Sequence, residues 1–498
     1  MTEFFLPALV ELSNPSVLLA VFSGTVVGII VGAIPGLTAT MAVALLIPVT
    51  FSMAPLVGLS LMGGVYCGGM YGGAISAILL STPGTPAAAA TSFDGYPMAK
   101  QGKGGTALTV ATWASFWGGT ISTIALLLMA PALAKFSLRF GPPEYFVLAI
   151  MGLSSIVTLT KGSMVKGLIS GFLGLILATV GMDHISGYMR FTFKIVDLYD
   201  GVPFMPALIG LFSISQILDL TAETRIVEDI NESIASIKRS RLPEGLSPTI
   251  ARGGIIGTIV GMLPGAGATI SAFISYNFAK QSSADPETFG KGNPKGVAAA
   301  ESANNGCVGG SLIPLLTLGI PGNSVAAALM GGLMIQGLIP GPELFTKHGA
   351  MTYGFIISLF LANLVFLVLG LYLAPYFAKV TMTPNALLIP GIAVLSVIGT
   401  FAINNNMFDV WLMIGFGIMG YFLEKGGFST GALVLGLILG PIAEVGFGQS
   451  LIISGGSPMI FFERPLCILL WVITLLLMIP AFSGHFRRKG KIAAKQGE

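Results

Sequence analysis

Apolar runs long enough to span a bilayer, about 20 residues each, succeed one another along the chain with short polar connectors between them. They lie near 106–133, 143–160, 166–182 and 202–219 in the first half, and near 350–375, 384–403, 407–422, 428–446 and 463–482 in the second. Another stretch, KGNPKGVAAAESANNGCVGGSLIPLLTLGIPGNSVAAALMGG, is apolar enough for a bilayer but carries polar groups and backbone breakers at two places. The first is Ser302-Ala303-Asn304-Asn305-Gly306, the second Gly319-Ile320-Pro321-Gly322-Asn323-Ser324. Proline removes a backbone donor and glycine is a poor helix former, so both places are expected to break the helix. Non-helical backbone at membrane depth is tolerated where protein buries it or where it lines a cavity. The pattern therefore predicts an all-α polytopic membrane protein with about 12 transmembrane helices plus two re-entrant, broken-helix hairpins.

The breaks repeat. VGIIVGAIPGLTAT, around Pro35-Gly36, aligns with IGTIVGMLPGAGAT, around Pro264-Gly265, at an offset of 229 residues. GGAISAILLSTPGTPAAAA aligns with GSLIPLLTLGIPGNSVAAA at an offset of 238, Pro83 upon Pro321, and a weaker match sets Pro143 on Pro384 and Ser155 on Ser396 at 241. A slowly drifting offset is what short loop insertions between two copies of one unit would produce. Interrupted apolar segments at corresponding places in two halves point to a secondary transporter's binding site. Inverted topology is expected by analogy with such carriers; the residues alone leave parallel repeats open.

The charges set the boundaries. The polar stretch between the halves holds Arg225, Lys238, Arg239, Arg241 and Arg252, and the tail holds Arg487, Arg488, Lys489, Lys491 and Lys495. The positive-inside rule places both on the cytoplasmic side, the C-terminus included. The chain then divides into a first membrane repeat (1–220), a cytoplasmic connector (221–252), a second membrane repeat (253–482) and a basic cytoplasmic tail (483–498). Ile226, Ile230, Ile234 and Ile237 are spaced for an amphipathic surface helix over Thr221 to Ile237, with a plain solvated connector as the alternative. The N-terminus has no basic n-region and reads as the approach to a first membrane element.

Each Pro-Gly break is followed by a capping residue and helix formers. Thr38 precedes Ala39-Thr40-Met41-Ala42, Thr85 precedes Pro86 and four alanines, and Asn323-Ser324 precedes Val325 and three alanines. A helix opening there leaves N–H groups and the positive dipole end free for an anion, with small side chains admitting a solute closely. The substrate-binding candidates are Gly36, Thr38, Thr82, Gly84, Thr85, Gly265, Asn305, Gly322, Asn323 and Ser324. A helix ending near Asn304-Asn305-Gly306 would leave carbonyls free for a hard cation; the Na⁺ candidates are Thr40, Thr269, Asn304 and Glu301. Glu301, an intramembrane acid, could bind a cation or proton, or pair with Lys295. Asp94, in Ser92-Phe93-Asp94-Gly95-Tyr96-Pro97, reads as a turn residue. For any of the hydroxyls the alternative is a hydrogen bond to its own helix or a neighbour.

Composition narrows the classes. Of 498 residues 54% are hydrophobic and 9% charged, far below the ~25% charged of soluble domains, which excludes a large soluble enzyme. Cys67, Cys307 and Cys467 are isolated and read as buried small hydrophobes. His184, His348 and His485 form no H-E-x-x-H motif and sit near connectors or the tail, poorly placed for catalysis. No cofactor and no nucleic acid is expected; the alternatives to a carrier are an anion-selective channel, an intramembrane enzyme and a membrane scaffold.

The blocks VGAIPGLTATMAVALLIP, YGGAISAILLSTPGTPAAAATSFDGYPMAKQGKGG and KGNPKGVAAAESANNGCVGGSLIPLLTLGIPGNSVAAALMGG resemble the large membrane subunit of bacterial tripartite tricarboxylate transporters, over almost the whole chain. The resemblance implies a secondary carrier of the bacterial inner membrane, driven by Na⁺ or H⁺ symport. It implies as partners a small four-helix membrane subunit and a periplasmic solute-binding protein, with a homodimer left open. The substrates it implies are carboxylates: citrate and other tricarboxylates, dicarboxylates or aromatic acids. Paired hairpins favour an elevator-like motion over rocking.

Overall fold

A computed structural model of the chain describes residues 2–154, 164–183, 185–222, 240–265, 267–476 and 478. The expected surface helix of the connector, Ser155, His184, His485 and the basic tail fall largely or wholly outside them. Nearly everything described is helical. The longer helices, numbered in chain order, are α1 (Thr2–Leu12), α2 (Pro15–Ala33), α3 (Ala39–Thr50), α4 (Pro55–Leu80), α5 (Ala89–Met98), α6 (Gly104–Ser137), α7 (Pro142–Ser154), α8 (Met164–Ala178) and α9 (Phe204–Ala222). Then come α10 (Ser247–Met262), α11 (Gly267–Gln281), α12 (Pro294–Leu318), α13 (Ser324–Ile335), α14 (Gly349–Val380), α15 (Asn385–Asn404), α16 (Met407–Lys425), α17 (Thr430–Ile453) and α18 (Pro465–Leu476).

Among the described residues eight helices are long and apolar enough to cross a membrane, and α3, α8, α13 and α18 are shorter apolar helices. Of these four, α8 and α18 border residues outside the described ones. Helix α12, 25 residues long, is outside the eight because Glu301, Asn304, Asn305 and several Ser and Gly residues dilute its apolar character.

The chain divides into two compact units, each drawn from both halves of the sequence. One comprises Met1–Ser137 and Met205–Tyr421, the other Leu138–Phe204 and Phe422–Glu498. The first unit is held together by glycine-mediated helix pairs. A Cβ at Gly24, Gly28 or Gly32 of α2 would lie 2.2, 2.5 and 2.3 Å from the carbonyl oxygens of Leu61, Val65 and Gly69 on α4. The pair α10 and α12 is built alike: a Cβ at Gly257 would lie 2.3 Å from the Ala303 oxygen, and one at Gly310 2.4 Å from the Thr258 oxygen. Small residues at four-residue spacing bring backbones close where lipid offers no hydrophobic drive for helix association. In the second unit α8 and α17 meet in the same way at Gly174 and Gly436. There a two-stranded antiparallel ribbon, β1 (Gly181–Met182) and β2 (Met189–Arg190), joins α8 to α9, and Arg190 pairs with Glu444 of α17.

The Pro-Gly breaks are real interruptions. Helix α2 ends at Ala33 and α3 starts at Ala39; α4 ends at Leu80 and helix resumes at Pro86; α12 ends at Leu318 and α13 starts at Ser324. Gly36 (φ +89°), Gly265 (φ +79°) and Gly319 (φ +71°) take the left-handed conformation these turns need. The other expected break is absent: α12 runs unbroken through Ser302, Ala303, Asn304, Asn305 and Gly306. All five are buried, Gly306 packs on Gly254 of α10, and the Asn304 amide bonds outside its own backbone. With no water to take up freed backbone groups, Asn and Gly there have no reason to end a helix.

Candidate functional site

The breaks meet around α4. Tyr66, Met70 and Gly73 are spaced four and three apart and so share one face of that helix. The Tyr66 hydroxyl accepts from the Asn323 side-chain amide at 2.7 Å and lies 2.9 Å from Ser311 Oγ. The Asn304 amide donates to the Met70 carbonyl at 3.0 Å. Thr85 lies against Gly73, where a Cβ would sit 2.5 Å from Thr85 Oγ1. Asn323, Asn304 and Thr85 thus line about 10 Å of one helix face, at 1.5 Å per residue. The first-half turn Pro86–Ala88 packs on α11 of the second half, and α13 packs on α3 of the first. Within the second half the Gly265 N–H donates to the Gly322 carbonyl at 2.9 Å, and Gly322 packs against the Gly261 carbonyl.

Capping follows the sequence in two of three cases. Thr38 Oγ1 accepts from the Met41 N–H at 3.1 Å, and the Asn323 side chain accepts from Ala326 at 2.9 Å. Thr85 does not cap: the residues after it form a single 3₁₀ turn and its hydroxyl is buried without a partner. Asn304 Oδ1 and both polar side-chain atoms of Asn305 are likewise buried and unpaired. A buried polar atom without a partner costs roughly 1–3 kcal/mol, so four such atoms on Thr85, Asn304 and Asn305 call for something that satisfies them.

Not every candidate joins this group. Thr82 is exposed and donates to the Leu80 carbonyl at 3.2 Å. Gly36 is exposed beside the Leu220 side chain of α9, where Ile34, Leu37 and Met41 form an apolar cluster with Ile217, Leu220 and Ile392. Thr40 is buried, and Thr269 and Ser324 are half-buried near their helix starts.

Glu301 is buried on α12, one turn before Asn304. Its carboxylate accepts from Thr91 of α5, from Ser115 of α6 at 3.1 Å and from the Asn304 amide at 3.4 Å. No cation pairs with it among the described residues, and Lys295 is not its partner. The expected choice between a bound cation and an ion pair with Lys295 therefore loses its second arm. A carboxylate in hydroxyl surroundings, next to unpaired amide oxygens, is the donor set a hard cation takes, and it suits a proton equally.

Asp94 is no turn residue. It lies inside α5, buried, and its Oδ1 accepts the backbone N–H groups of Gly290, Gly292 and Asn293 at 2.8, 2.9 and 2.8 Å. Its Oδ2 accepts from the Tyr276 hydroxyl at 2.8 Å. Converging N–H groups at a helix start form an anion site, which here the chain fills with its own carboxylate. Asp94 thereby fixes the start of α12 against α5, and Thr91, one turn back on α5, meets Glu301 two turns into α12.

Sequence reasoning passed over Tyr66, Thr91, Ser115 and Tyr276. One signal was present for Tyr66: the offset of 238 that aligns Pro83 with Pro321 also sets Tyr66 opposite Asn304.

The sequence model of the tripartite tricarboxylate transporter TctA family matches residues 18–435, from α2 into α17. The chain belongs to this family. It is a subunit of a membrane transporter that has other subunits. An uncharacterized 52.8 kDa protein in the TAR-I ttuC' 3' region of Agrobacterium vitis is 38% identical over 475 residues, 94% of this TctA-family chain and 93% of that protein. An uncharacterized protein in the TAR-II ttuC' 3' region of the same organism is 39% identical over 233 residues, 47% of this chain and 96% of that protein. No solved structure matches the chain.

Proposed function

We propose that this chain is the translocating subunit of an ion-driven importer in the bacterial inner membrane, its C-terminus cytoplasmic, taking up carboxylates handed over by a periplasmic binding protein. The observation that carries the reading is the set of buried, unpaired polar atoms on Thr85, Asn304 and Asn305, of which Thr85 and Asn304 lie against the face of α4 that also holds Asn323 at the start of α13. Helix starts and small residues suit a carboxylate, and unpaired oxygens beside Glu301 suit Na⁺ or a proton. Adjacent anion and cation sites are the physical basis of symport, because each ligand lowers the cost of seating the other.

In this reading Thr85, Gly84, Gly322, Asn323 and Ser324 hold the carboxylate, with Asn305 lending its amide. Glu301, with Asn304, holds the coupling ion. The crossed packing, in which each half's break rests on a helix of the other half, supports one body carrying both sites, as an elevator-like motion requires.

The test is reconstitution of the full assembly with its partner subunits in proteoliposomes. Saturable uptake of labelled carboxylate that follows a Na⁺ or proton gradient is expected, as is a loss of at least tenfold in Asn305→Ala with assembly intact. Unsaturable flux that follows only membrane potential would establish a channel instead.

A further inference from the structure

A cavity of about 630 Å³ lies where α6 and α14 meet the connector ahead of α10. Its wall on α6 is Thr109, Trp113 and Trp117, spaced by four along one face, and Leu371 of α14 adds to it. Its other wall is Ser240, Arg241 and Leu242. One turn before Thr109, the Thr106 hydroxyl donates to Ser240 Oγ at 3.0 Å and fastens the connector to the start of α6.

The two ends differ in chemistry. At the connector end Arg241 is exposed and makes no ion pair with any described residue. At the other end Trp117 is 46% exposed, packed edge-on against Phe116, and on α14 Tyr372 and Leu373 beside Leu371 are exposed as well. From Thr106 to Trp117 the helix rises roughly 16 Å, comparable to half of a bilayer's hydrocarbon thickness, about 15 Å.

We infer that this cavity is a binding site for an anionic phospholipid. The phosphate sits on the Arg241 guanidinium with Ser240 beside it, and the glycerol and one acyl chain run along Trp113, Trp117 and Leu371. Charge complementarity selects the occupant: a zwitterionic lipid would fill the aromatic wall but bring its own cation to the guanidinium. A small free anion would satisfy Arg241 and leave the tryptophans bare. Basic pockets beside membrane helices recognise anionic headgroups on the same terms.

Native mass spectrometry of the full-length chain in detergent, with phosphatidylglycerol or phosphatidylcholine of identical acyl chains, tests this. Phosphatidylglycerol adducts are expected at least fivefold more abundant than phosphatidylcholine adducts. Arg241→Gln should reduce them to the phosphatidylcholine level, Arg241→Lys should keep most of them, and Trp113→Ala should lower both lipids. Arg241 is exposed, so its variants leave the fold intact. Equal retention of the two lipids, or full retention by Arg241→Gln, overturns the assignment. Displacement by inorganic phosphate at matched ionic strength would reduce it to a free-anion site and overturn it too.

Discussion

The Asn323 side chain faces two ways at once: its amide donates to the Tyr66 hydroxyl at 2.7 Å while its oxygen accepts the Ala326 N–H at 2.9 Å. One residue thus starts α13 and ties that start to α4. Separating the two roles is a matter of chemistry. Asn323→Ala loses both; Asn323→Ser keeps a capping oxygen and loses the reach to Tyr66. Loss of the cap costs about 1 kcal/mol, so thermal unfolding in detergent should show Asn323→Ala destabilised and Asn323→Ser close to wild type. Carboxylate uptake should fall in both. A serine variant with full uptake would show that the Tyr66 contact plays no part in transport.

Glu301 offers a sharper separation. Its neighbours Thr91, Ser115 and Asn304 are all uncharged, so Glu301→Gln keeps the shape and removes only the charge. Hydroxyls can turn to accept from the new amide, and the fold should survive. Uptake driven by an ion gradient is expected to fall more than tenfold, while exchange of labelled for unlabelled carboxylate at zero gradient continues. Parallel loss of both activities would assign Glu301 to structure rather than coupling.

These residues also mark what could be seen in the sequence. The apolar runs, the Pro-Gly breaks and the caps at Thr38 and Asn323 were legible because each follows from chemistry within a few residues. The expected break at Ser302–Gly306 failed because Asn and Gly end helices mainly where water competes for the backbone, and here Gly254 and Met70 surround them. Thr82, chosen for its place beside Pro83, is exposed and donates back to the Leu80 carbonyl. Asp94 was misread because its partners lie 182 to 199 residues further on, a distance no local pattern encodes.

The four bonds to Asp94 predict an order of stabilities. Tyr276→Phe removes one hydroxyl donor to the carboxylate, at about 1.5 kcal/mol, the low end for a hydrogen bond to a charged group. Asp94→Asn weakens all of them by removing the charge, at roughly 2 kcal/mol, and Asp94→Ala strands three N–H groups and costs roughly twice that. Unfolding temperatures should fall in that order. Should Asp94→Ala match wild type, the loop before α12 would be held by something other than this carboxylate.

In the second unit, Glu144 is fully buried and its only cationic partner among the described residues is Arg464, whose Nε lies 2.6 Å from Oε1 with its side chain 41% exposed. Oε2 accepts the Gly141 N–H at 2.9 Å, and Cys467 Sγ lies 3.6 Å from Oε1. Breaking such a pair from one side leaves a buried charge uncompensated, which costs roughly 3–5 kcal/mol; the exposure of Arg464 puts this case at the lower end, since water can reach the site. Arg464→Gln should therefore be strongly destabilised. Glu144→Gln relieves the stranded charge, so the double variant should be more stable than Arg464→Gln alone, an inversion that a sum of independent losses does not give. A double variant less stable than Arg464→Gln would mean that the Glu144 carboxylate is stabilised mainly by Gly141 and the backbone around it.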